Sequence, residues 1–230
     1  MQARQPVEIP VWFQPVVELV DTPSRASSCD LRAINWQRMC SRCSRLDNSR
    51  SGDKLIHGVH FDELKSGQDE RGVVREFYRR SKHDRELGLV RGWAQINVTE
   101  TRQGAIRGLH AESTDKLVGV VSGSAFGAWV DGRPESPTFG QLQTAQLLPG
   151  EQVFVPSGVL NGFQSLSEPC QYLYCFSAEW TPSMEGFAIT PFDEELRVPW
   201  PITVRADDFA MVSRKDASAL TWSQVRDRLR

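Results

Sequence analysis

Lys116-Leu-Val-Gly-Val-Val121-Ser-Gly-Ser124-Ala-Phe-Gly-Ala-Trp-Val130 reads as two short runs of β-branched, aromatic and small residues parted by Ser122-Gly123. Similar runs lie to either side: Gly72 to Tyr78, Gly92 to Thr99, Gln152 to Val155 and Cys170 to Phe176. β-Branched and aromatic side chains suit a pleated, half-buried surface, and the Gly, Pro, Asp and Ser between the runs supply turns. No long helical interval separates them, which predicts an all-β antiparallel sandwich or barrel and argues against an alternating α/β chain. In the tail, Leu220, Val225 and Leu229 stand at near-helical spacing and predict a helix that closes the domain.

The chain has 230 residues, 40% hydrophobic and 24% charged, enough for a sizeable core and too apolar for a disordered or fibrous protein. Residues 21–53 are rich in Ser and Arg and lack a sustained apolar period. Residues 1–53 are therefore expected to be a poorly structured or partly helical, dispensable extension, and 54–230 the folded domain. Net charge is −2, so no global positive field exists to hold a nucleic-acid backbone or an anionic bilayer. No stretch approaches the roughly eighteen apolar residues of a membrane span, and the start leads into no apolar signal segment, so the expected compartment is the cytoplasm. Five cysteines are an odd number for a disulfide framework. Cys40 and Cys43 have zinc-like spacing, but completing the set would need Cys29 and a distant His57 or His60, so free thiols are expected.

Two further patterns are Gly104-Ala-Ile-Arg-Gly-Leu-His110-Ala-Glu112 and Gly150-Glu-Gln-Val-Phe-Val-Pro156-Ser-Gly158-Val-Leu-Asn161. They resemble the two signatures of the cupin superfamily, which implies a double-stranded β-helix, or jelly roll, with a few short flanking helices. Metal-binding cupins carry three histidines and a glutamate there; here only His110 stands in a histidine position, and Asn161 takes the place of another. One imidazole is too few for a transition-metal site, so a site without metal or other cofactor is expected.

The wider sequence resembles the dTDP-4-dehydrorhamnose 3,5-epimerases over about residues 54 to 220, on Asp69-Glu-Arg-Gly72, Gln95-Ile-Asn97, Arg107-Gly-Leu-His110, Lys116-Leu-Val, Asp131-Gly-Arg133, Ser136-Pro-Thr-Phe-Gly140, Leu173-Tyr174, Phe192-Asp193, Trp200-Pro201 and Ser213-Arg-Lys-Asp216. The resemblance implies a homodimer that inverts C3, C5 or both of a dTDP-4-keto-6-deoxyhexose. The carbons flanking a ketone carry acidic C–H bonds, and inverting one requires a base on one face, an acid on the other and a group that holds the enolate oxygen. His110 suits the base, because an imidazole gains and loses protons near neutrality. By resemblance, Asp193 is the carboxylate that fixes its tautomer, Tyr174 the acid and Lys116 the cation at the C4 oxygen. Arg71 and Arg107 match diphosphate-binding arginines, whose guanidinium forks fit phosphate oxygens. Glu76, Gln95, Asn97, Asn161 and Trp180 match positions that bind or shape the substrate pocket, with Arg71 to Glu76 reaching across the dimer.

Several positions depart from the family pattern. Asn161 stands for a usual His, Gly127 for a usual Asp, Trp180 for a frequent Tyr, and Ala111-Glu112 for the Tyr-Gln that follows the base. Joint loss of the Asp and His implies one change in substrate or stereochemical outcome, since either alone would strand a buried partner. A ketoisomerase built on the same acid–base groups and a non-catalytic sugar-nucleotide-binding cupin are the alternative readings.

Overall fold

A computed structural model describes residues 55–87 and 92–229. The extension and Cys29, Cys40 and Cys43 lie outside the described residues. No helix among those described is long and apolar enough to cross a membrane.

Two five-stranded antiparallel sheets face each other. The first runs β1 (His60–Glu63), β9 (Glu151–Val155), β6 (Lys116–Ser122), β11 (Cys170–Phe176), β4 (Gln95–Thr101) in spatial order. The second runs β12 (Gly186–Ala188), β5 (Ile106–Glu112), β10 (Val159–Ser165), β7 (Ala125–Asp131), β8 (Leu142–Leu147). A separate exposed hairpin pairs β2 (Lys65–Asp69) with β3 (Gly72–Glu76), and a short helix, α1 (Arg80–Leu87), follows it in the chain. The all-β cupin expectation is met. Strand β5, which carries the first motif, and β10, which begins with the Val159-Leu-Asn161 end of the second, are central neighbours in the second sheet, while the rest of the second motif forms β9 in the first.

Alternation sorts the side chains into layers. Val118, Val120, Val153, Val155 and Tyr172 point inward from the first sheet, and Trp129, Val159 and Phe163 meet them from the second. Phe163 and Tyr172 stack across the gap with ring centroids 3.9 Å apart. The outer face of the second sheet, with Leu109, Ala111, Val130 and Leu160, is covered by Trp222 and Val225 of α3 (Trp222–Leu229). The outer face of the first, with Leu117, Phe154 and Cys175, is covered by Phe77, Tyr78 and Trp93. With apolar residues on both faces, each buried aliphatic side chain contributes about 1.5–3 kcal/mol. One end of the space between the sheets is left unfilled by this packing and becomes a cavity.

Candidate active site

The cavity measures about 560 Å³ and draws residues from both sheets and from α2 (Arg214–Ala217). Strand β11 presents Tyr172, Tyr174 and Phe176 by alternation, and β4 presents Gln95, Asn97 and Thr99 beside them. The second sheet supplies Arg107, His110 and Glu112 from β5, and Asn161 and Phe163 from β10.

Arg107 and His110 share a face although they are three residues apart. Asn161 pairs with His110 and Phe163 with Arg107, so three steps on β5 match two on β10. The extra residue is Gly108, at φ +119°, where a Cβ would come within 2.5 Å of Gly162 Cα. A glycine bulge thus lets the backbone turn Arg107 back toward His110, while Leu109 points into the outer core.

His110 Nε2 lies 2.7 Å from Asp216 Oδ1. The Asp216 carboxylate accepts the Nε2–H, leaving the Nδ1 lone pair as the proton acceptor. Ser213 caps α2 by accepting the Asp216 backbone N–H at 3.0 Å, which fixes this carboxylate. Burial pushes the Asp216 carboxyl up, but the His110 hydrogen bond and charge, with help from Ser213 and the Gly108 N–H, outweigh it and hold its pKa below the usual range.

Asp193, expected as the partner of His110, is elsewhere. Its Oδ1 accepts the backbone N–H of Glu195 and Leu196, and its Oδ2 accepts that of Trp222 at 2.7 Å. It satisfies the start of α3 and a turn, and it lines a different cavity from that of His110. Asp216 was legible only as the end of Ser213-Arg-Lys-Asp216, a fragment that carried no assigned role.

Lys116 opens β6 in the opposite sheet and is 4% exposed. Its ammonium donates to the His110 carbonyl at 3.1 Å and forms an ion pair with Glu112. Burial lowers its pKa, and the Glu112 carboxylate opposes that shift. Tyr174 is half-buried; desolvation raises its pKa, with Arg107 pulling it down and Glu112 pushing it up, so the phenol stays protonated as a proton donor must. Arg107 donates through Nε to Thr101 Oγ1 at 3.0 Å. Gln95 Nε2 donates to Asn97 Oδ1 at 3.2 Å, and its Oε1 accepts the Trp180 backbone N–H at 2.7 Å, which places half-exposed Trp180 at the rim.

Arg71 and Glu76 do not reach this cavity. Arg71 pairs with Asp69 at 2.6 Å on the exposed hairpin, and Glu76 pairs with Arg79. At Gly127, a Cβ would sit 2.3 Å from Trp129 Cη2, so the indole occupies the volume a side chain at 127 would need. Trp129 is the cross-strand neighbour of Asn161, whose Oδ1 is buried without a hydrogen-bond partner, as is Trp129 Nε1. Among the described residues no three His, Cys, Asp or Glu side chains gather as a metal-ligand set.

A cupin-type sandwich whose inter-sheet cavity holds an imidazole–carboxylate pair, a phenol and a buried ammonium defines an acid–base enzyme site. A profile of the dTDP-4-dehydrorhamnose 3,5-epimerase family matches residues 49–224, and the chain belongs to that family, as an isomerase of the dTDP-4-dehydrorhamnose epimerase type. The dTDP-4-dehydrorhamnose 3,5-epimerase of Salmonella typhimurium is 34% identical over 176 residues, spanning 74% of this chain and 93% of its own. The epimerase RmlC from Legionella pneumophila, solved with dTDP-4-keto-L-rhamnose, superposes with a TM-score of 0.69 at 30% identity, covering 77% of this chain and 94% of that one. ChmJ, a 3'-monoepimerase from Streptomyces bikiniensis solved with dTDP-quinovose, superposes with a TM-score of 0.68 at 27% identity, covering 76% and 89%.

Proposed function

We propose that the protein inverts one or both of the carbons flanking the ketone of a dTDP-4-keto-6-deoxyhexose. The observation that carries this reading is the His110–Asp216 pair on one sheet's side of the cavity with Tyr174 and Lys116 on the other. His110 removes the proton through the nitrogen that Asp216 does not hold, and the bond's electrons move onto the C4 oxygen. Lys116 neutralises that enolate oxygen. Tyr174 returns a proton from the opposite face, which inverts the carbon, and Asp216 stabilises the imidazolium meanwhile.

Arg107, Gln95, Asn97, Asn161 and Trp180 bind the nucleotide sugar, with Arg107 on the diphosphate. The chain acts as a homodimer in which Arg71 and Glu76 serve the partner's cavity. Two features support this: both residues ride an exposed hairpin, and edge strand β4 exposes Ile96 (60%) and Val98 (56%) on its outer face. Incubation with dTDP-4-keto-6-deoxyglucose in deuterated water tests the chemistry. Deuterium at C3, C5 or both with inverted product is expected. No exchange at either carbon overturns the reading, and a carbonyl moved to a neighbouring carbon marks a ketoisomerase instead.

A further inference from the structure

Glu112 was not among the residues that chemistry or resemblance singled out for a role, yet it lies in the middle of the charged groups. It ends β5 two positions after His110, so alternation turns both into the cavity while Ala111 packs in the outer core. Residues 113–115 then carry the chain from one sheet to the other, and they are tied down on several sides. The Ser113 N–H donates to the Glu185 carbonyl at 2.9 Å, and Thr114 Oγ1 and Ser177 Oγ lie 2.9 Å apart. Asp115 accepts the Ser157 N–H at 2.8 Å. The span between Glu112 and Lys116 is therefore fixed by the fold and does not depend on the two side chains finding each other.

We propose that Glu112 is a positioning residue for the reaction, holding the Lys116 ammonium between its own carboxylate and the His110 carbonyl so that the remaining N–H points to the enolate oxygen. This rests on the epimerase reading above. Where the family usually has Gln, this chain sets a carboxylate against an almost wholly buried ammonium, which without that counter-charge would here shed its proton and offer nothing to a developing oxyanion. Besides the pair itself, the titratable and charged groups sharing this cavity are His110 and Arg107 on β5, Tyr172 and Tyr174 on β11, and Asp216 and Lys215 on α2. Asp216 is committed to His110, which leaves Glu112 as the carboxylate against Lys116.

Glu112→Gln keeps the shape and removes the charge; Glu112→Asp keeps the charge. In E112Q, kcat is expected to fall about 10- to 100-fold with dTDP binding unchanged, and the alkaline limb of kcat/KM to move to lower pH. Tyr174 would shift that limb in the same direction, so Lys116 itself is followed by NMR of lysine-labelled substrate-free protein, with its signal assigned through Lys116→Arg. It should titrate lower in E112Q, because the carboxylate that opposes desolvation is gone, and E112D should restore most of both effects. An unmoved Lys116 titration, or E112D no better than E112Q, in a protein that exchanges substrate deuterium overturns the assignment of Glu112 alone. Absence of exchange in the unsubstituted protein overturns the epimerase reading and the catalytic purpose of Glu112 with it.

Discussion

Arg107 and His110 lie three residues apart on β5 and face the same cavity, a placement that strict strand alternation forbids. The bulge at Gly108 makes it possible, and the close approach of Gly162 leaves no room there for any side chain. Arg107, proposed to hold the diphosphate, and His110, the proposed base, are thus placed together by one backbone irregularity.

Gly108→Ala is expected to lose about 2–4 kcal/mol, because its Cβ would press into Gly162 and Asn161 backbone atoms at a φ that L-residues avoid. Chemical denaturation measures the loss. Stability within about 0.5 kcal/mol of wild type would mean the bulge tolerates a side chain.

Asp216→Asn should lower kcat by about 10²–10³ while the protein stays folded, since the amide favours the wrong imidazole tautomer and stabilises no imidazolium. Stability adds a pH signature. The folded-state pKa of Asp216 lies below its usual 3.8, so its stabilisation is full above that value and is lost as pH falls through the lower folded value. The stability gap between wild type and D216N should accordingly close as the pH is taken down into acid below about pH 4.

Asp193→Ala separates the two carboxylates. It removes three backbone acceptor contacts, one at the start of α3, and should cost about 1–3 kcal/mol in thermal or urea unfolding. Measured where the variant is fully folded, its kcat should stay within a few-fold of wild type, unlike that of D216N. A collapse of kcat equal to that of D216N would restore Asp193 to the catalytic pair.

Tyr174→Phe should reduce inversion by about 10²–10⁴. With His110 and Asp216 intact, the proton taken by the base can still return on its own face. NMR should therefore find solvent deuterium in recovered substrate of unchanged configuration. Inversion at the wild-type rate would place the acid elsewhere.

The alternation of apolar residues fixed what depends on near neighbours. Runs such as Lys116 to Val121 and Cys170 to Phe176 become strands because their β-branched and aromatic residues meet the inner core on one face and a smaller outer cluster on the other. The same period puts Tyr172 and Tyr174 on one face. His110, Lys116 and Tyr174 could be named from local motifs, and the motif order carried the family.

What depends on distant chain could not be read that way. Asp216 meets His110 across 106 positions of sequence, from a four-residue helix whose orientation is set by a serine cap. Phe192-Asp193 was an equally plausible fragment until packing against α3 consumed its oxygens. The Gly108 bulge, the indole filling the space above Gly127 and the Glu112–Lys116 pair across two sheets are likewise products of register and layer packing. Local periodicity determines which face a side chain takes; only closure of the two sheets decides what it meets there, because hydrogen bonds and ion pairs require contact within a few ångströms.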